Sequence, residues 1–209
     1  MYNKKLLFNS TILSIPGLIS IFISLLAIPI HLKIAGIENY GNYIIFHILL
    51  SLSFLINLGI AKSIVISINN FPKHNKEVAF EGIKYTAYIS LIILFFLTVS
   101  SIFFSYTINE YKFFLFKYCL IGIIISLFFL SCESIFLGNE KFKFASFFNF
   151  VFYSISLSGP SLILVFNENL NVRNLITISI IIKLLVILII LFVLIKKKLI
   201  KRKVNSILF

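Results

Sequence analysis

Three charged side chains lie where an apolar run should exclude them: Lys62, Glu133 and Lys183. Lys183 is the deepest, about 11 residues and so roughly 16 Å along a helix from either end of the run 172–195. A charge at the centre of a bilayer costs about 2.5 to 3.5 kcal/mol on insertion scales unless it meets water or a partner. The lysine stem cannot easily carry an ammonium that far to an interface. The position therefore predicts one of two things, a hydrated cavity or bound anion facing Lys183, or an ion pair at the centre of a helix bundle. Ser179, one turn earlier, shares its face. Lys62 and Glu133 lie only about a turn from the ends of their runs, so Lys62 can snorkel outward. Glu133 has a shorter side chain and is expected to face inward or to pair with Lys62.

Other polar residues recur at helical spacing. Ser10, Ser14, Gly17, Ser24 and His31 fall within an arc of roughly 100°, and His47, Ser51 and Lys62 within about 60°. Cys119, Gly122, Ser126 and Glu133 make a third stripe; Ser146, Asn149, Tyr153, Ser156 and Pro160 make a fourth. Small and hydroxylated residues on one face serve helix packing or line a polar path, and the pattern leaves both open. On the second reading the path candidates are Lys183, Lys62, Glu133, Ser179, Asn149 and Tyr153. Pro16, Pro29 and Pro160 free helical carbonyls and can act as hinges, and Gly59 permits close helix approach.

Hydrolytic or redox chemistry finds little to work with. There is no Asp, the seven Glu are scattered, and no P-loop, H-E-x-x-H helix or nucleophile elbow is present. The chain is not expected to be an enzyme, and no cofactor or metal site is expected. His31 and His47, near the ends of apolar runs, are expected to be solvated at an interface. His74 stands among Lys73, Asn75 and Lys76, a basic patch suited to anionic lipid. Cys119 and Cys132 are about 20 Å apart on one helix, too far for a disulfide.

These residues need elements that suit lipid. The chain is 60% apolar and 12% charged, against about 45–50% and 25% in soluble domains. Six runs reach the roughly 20 residues a spanning helix needs, at about 8–32, 43–66, 83–106, 113–137, 142–166 and 172–195. The first is too long for the apolar core of a signal peptide. The run 91–97 is apolar on every face, which excludes the alternation of a barrel strand. The expected fold is an all-α integral membrane protein, a single domain over 1–209 with a basic tail at 196–209.

Orientation follows from the nineteen Lys and Arg. With the N-terminus cytoplasmic, the inner segments hold Lys4, Lys5, Lys73, Lys76, Lys84, Lys141, Lys143, Lys196, Lys197, Lys198, Lys201, Arg202 and Lys203. The outer segments hold only Lys33, Lys112, Lys117 and Arg173, so the positive-inside rule puts both termini in the cytoplasm. The formal charge of +12 is thus spent on membrane orientation, and no nucleic-acid partner is expected. The longest loop, about 67–82, leaves no room for a soluble domain.

Several of these features occur in a familiar order. Asn3-Lys4-Lys5, Pro29 late in the first run, the stretch Ala35-Gly36-Ile37-Glu38-Asn39-Tyr40-Gly41-Asn42-Tyr43, Asn57-Leu58-Gly59-Ile60 and Gly138-Asn139-Glu140-Lys141-Phe142 stand in sequence. Together they resemble the N-terminal part of the polysaccharide (O-antigen, Wzx-type) flippases of the MOP or MATE-like exporter superfamily. Gly36 and Gly41 would suit a tight external turn. The resemblance implies one six-helix lobe of a twelve-helix transporter. It also implies a bacterial inner membrane and an undecaprenyl-diphosphate-linked oligosaccharide flipped for surface polysaccharide synthesis. A second lobe or a second copy would be the partner, beside membrane lipid. The family's acidic residue before Leu-Gly is Asn57 here, and Lys62 stands in a different register from its usual basic residue. A non-transporting or degenerate assembly component, and half of a MATE-type drug or cation antiporter, are the alternative readings.

Overall fold

The computed structural model describes residues 2–57, 59–104, 110–164 and 172–200, and all regular structure among them is helical. Leu58, the expected fifth run beyond Leu164 and the tail residues Lys201, Arg202 and Lys203 lie outside the described residues, as do the side chains of Lys4, Lys5, Ser10 and Lys112. Five helices are long and apolar enough to cross a membrane: Thr11–Lys33, Ala35–Ile56, Pro72–Ser100, Phe113–Gly138 and Val172–Lys196. Their outward faces are apolar, with Leu26 72% and Phe22 68% exposed, a surface suited to lipid rather than water.

Helix α1 (Tyr2–Leu50) holds the first of these and most of the second as arms joined at Gly36, whose φ of 77° and ψ of 165° belong to a region open essentially to glycine alone. The expected outer loop around 35–43 is thus a one-residue corner, and Gly41 sits inside a helix. Polar Glu38, Asn39 and Asn42 read as loop, yet a helix end can hold them; Asn39 Nδ2 donates to Ala35 O at 2.9 Å.

The expected second span, 43–66, is not one helix. Short i to i−3 bonds tighten the backbone at Ser51 and Leu52, and α2 (Ser53–Ile56) ends at Asn57. Gly59 then takes a left-handed conformation, φ 78° and ψ 4°, before α3 (Ile60–Asn70). Asn57 Oδ1 accepts from the Ala61 amide at 2.8 Å and so caps the restarted helix. No atom would crowd a Cβ at Gly59, so positive φ and not close packing is what glycine supplies there.

A turn through Pro72–His74 leads straight into α4 (Asn75–Phe104), which replaces most of the expected 67–82 loop with helix. Then come α5 (Glu110–Gly138), α6 (Phe142–Phe150), a π turn at Val151–Ile155, α7 (Ser156–Leu164) and α8 (Val172–Lys196). Helix α5 packs against α1, α3, α4, α6 and α8, and buries Leu127, Phe129, Ile135 and Phe136. Two turns on one side of the bundle are tied together where Asn75 Nδ2 donates to Asn139 Oδ1 at 2.9 Å.

Candidate functional site

The buried residues of α8 include Leu175, Ile176, Ser179, Ile180, Lys183, Val186, Ile187 and Ile190, spaced by threes and fours. Helical periodicity alone therefore turns Lys183 into the bundle, where it is 2% exposed. Its Nζ lies 4.7 Å from the ring centre of Phe152 and 5.9 Å from that of Tyr153. Phe152 is stacked on Phe129, 3.9 Å between centres and 10° between planes. Among the described residues no carboxylate comes within ion-pair distance of Nζ, so the expected alternative of a central ion pair fails. Ring faces return about 2 kcal/mol when desolvated, of the same order as the insertion cost. Contact with the ring faces is thus what holds the ammonium in the interior.

Above it, Ser179 Oγ stands 3.4 Å from His47 Nε2. The His47 ring meets Tyr43 edge-on with centres 4.7 Å apart, and Tyr43 is stacked near His31 at 6.0 Å. His31 is only 2% exposed and its Nδ1 lies 2.7 Å from Ala27 O, while its Nε2 is buried without a partner. The expectation of two solvated histidines is corrected: the Gly36 corner folds the arms of α1 together and closes Tyr40 and Tyr43 over His31.

Below Lys183, Tyr153 packs on Phe54 and Phe129 and keeps a buried hydroxyl with no hydrogen-bond partner among the described residues. One turn away, Asn149 Nδ2 donates to Glu133 Oε1 at 2.7 Å. Lys62 does not join this seam. Its side chain is exposed and pairs with no carboxylate among the described residues, so the expected Lys62–Glu133 salt bridge is absent. The break at Asn57–Gly59 resets the helical phase, which takes Lys62 off the face of His47 and Ser51. His74, read as part of a basic patch, lies 3.1 Å from the carboxylate of Glu77.

The proline positions divide. Pro29 is exposed, whereas Pro16 and Pro160 are buried against facing helices. Proline lacks an amide proton, so each leaves the carbonyl four residues earlier unpaired in its own helix. Ile12 O, orphaned by Pro16, accepts from Ser146 Oγ at 2.5 Å. Ser156 O, orphaned by Pro160, accepts from the Tyr43 hydroxyl at 2.9 Å.

Five of the six path candidates, Lys183, Ser179, Tyr153, Asn149 and Glu133, thus line one interior seam. Sequence reasoning missed Tyr43, His47 and Phe152 as its members. Phe152 is one of 25 phenylalanines and carries no signal of its own. Tyr43 could have been sought as a hydroxyl able to serve a proline-freed carbonyl. Among the described residues no group of three or more His, Cys, Asp or Glu could hold a metal ion. The seam offers an ammonium, hydroxyls and imidazoles that can bind an oxyanion. Fold and site together describe a helical bundle suited to a membrane, with a cation in its interior. No protein-family model matches the chain, and no curated protein or solved structure matches it either.

Proposed function

We propose that the chain is one lobe of a transporter that flips an undecaprenyl-diphosphate-linked oligosaccharide across a bacterial inner membrane. In this reading the helical backbone of α6, the π turn and α7 is the sixth crossing, both termini are cytoplasmic, and the bundle is a MATE-like lobe. A second lobe or a second copy completes the translocation path. The observation that carries the reading is Lys183: a buried ammonium facing aromatic rings, with no carboxylate among the described residues to neutralise it. A diphosphate is the kind of group that would occupy it, with Ser179 and Tyr153 offering hydroxyls while the lipid tail stays in the bilayer. The break at Asn57–Gly59 and the π turn give two helices the discontinuity that alternating access uses. A non-transporting bundle with internally neutralised charges is favoured by nothing at Lys183 or Glu133, neither of which has an opposite charge within ion-pair distance among the described residues.

Replacing Lys183 with Leu should abolish export of surface glycan while leaving the amount of membrane-inserted protein unchanged. Lys183→Arg, which keeps the charge, should retain part of it. Full export by the leucine variant would sink the assignment.

A further inference from the structure

We infer that Tyr43 is a positioning residue of the Lys183 site, acting through the proline bend that follows the π turn. The hydroxyl of Tyr43, itself fully buried, donates to Ser156 O at 2.9 Å and lies equally near Leu157 O. Ser156 O is the acceptor that the Pro160 amide would have served. A phenol from the second arm of α1 thus replaces a proton missing from α7. Without it, a buried carbonyl would be left unsatisfied.

Two features connect this bond to the site. Ser156 and Leu157 directly follow the π turn Val151–Ile155, and that turn carries both rings that hold the Lys183 ammonium, Phe152 and Tyr153. The turn's backbone is further tied down by Ser156 Oγ bonding Phe152 O and by Ser158 Oγ bonding Ser154 O at 2.7 Å. On its other side, the Tyr43 ring packs nearly perpendicular to the ring of His47, whose Nε2 reaches Ser179 one turn from Lys183. One side chain therefore holds the carrier of the aromatic rings with its hydroxyl and the polar partner of Ser179 with its ring. The Ser146 hydroxyl serves Ile12 O in the same way at Pro16, from α6 ahead of the π turn. It is a natural control.

Because an isolated π turn is a single displaced hydrogen-bond register in a helix, freeing Ser156 O should let the turn shift and uncover Lys183. This consequence needs no substrate. Its extension, that an anion drawing the ammonium off the rings would work the same bend, rests on the function proposed above.

The test uses the full chain in detergent and measures, by mass spectrometry, the rate at which an amine-acylating reagent modifies Lys183. Tyr43→Phe should raise that rate about tenfold, in line with a lost buried hydrogen bond. Pro160→Ala restores an amide for Ser156 O, so in that background Tyr43→Phe should change the rate less than twofold. Ser146→Ala should leave Lys183 labelling within about twofold of the parent. An unchanged rate in Tyr43→Phe overturns the inference, as does equal acceleration with and without Pro160. Recovery of only the Pro160→Ala/Tyr43→Phe protein in folded form would support it, and failure of both to fold would overturn it. Inorganic pyrophosphate, added to the wild-type protein, should protect Lys183 if an anionic substrate binds there. Lack of protection counts against the transport reading alone, since the Tyr43 cycle is measured without it.

Discussion

Asn149 donates a hydrogen bond to Glu133 inside the bundle, 2.7 Å long, with no cation within ion-pair distance of Glu133 among the described residues. Glutamine at position 133 can still accept from Asn149, so Glu133→Gln should alter stability by less than about 0.5 kcal/mol, within the range of a neutral replacement. Asn149→Leu instead leaves the carboxylate half-buried and unbonded, a loss of about 1 to 3 kcal/mol. Thermal unfolding in detergent would separate the two, and equal losses would show that the hydrogen bond is not what matters. At this scale Lys183 was legible because a charge in the middle of an apolar run is improbable for any other reason. Of the two rings it faces, Tyr153 stood in a polar stripe, but Phe152 was not legible, since aromatic residues fill the whole chain and only three-dimensional contact singles it out. The inward turn of Glu133 was readable from its stripe, but its partner was not: Lys62 is excluded by a helix break whose only sequence mark is Asn57 and Gly59.

Elements show the same division. Gly36 and Gly59 both have positive φ, yet they differ in ψ, 165° against 4°. The second is left-handed helical and tolerates Asn; the first is a region that side chains avoid. Gly59→Asn should therefore cost well under about 1 kcal/mol, whereas Gly36→Asn and Gly36→Ala should each cost about 1 to 3 kcal/mol. Unfolding midpoints of the three variants check this, and equal effects at both glycines would contradict the assigned conformations. Long apolar helices were legible from hydropathy alone. Their interruptions were not, because the π turn at Val151–Ile155 and the tightening at Ser51 are made of residues that are equally at home in a regular helix. The polar stretches near 35–43 and 67–82 misled in the opposite direction, since polar residues at the ends of membrane-length helices need not be loops.

For the whole molecule, the proposed orientation can be read out chemically. Cys119 and Cys132 are both free and buried, so a variant with serine at both positions gives a thiol-free background. A cysteine placed at exposed Lys33 should react with an impermeant maleimide added outside intact cells, and one at exposed Lys141 only after the membrane is opened. The reverse pattern would invert the topology. Charge placement made this prediction possible from composition, because the rule depends on which loops hold lysine and not on packing.

The single-residue corner at Gly36 also bears on biosynthesis. Two helices joined by one residue have no slack with which one could settle in the bilayer while the other waits in water. On the proposed membrane reading they would enter as a hairpin, and the contacts of His31 with Tyr40 and Tyr43 near its tip can form before any later helix has been translated. The upper wall of the seam would then exist before α8 is made, as a surface onto which α8 delivers Lys183.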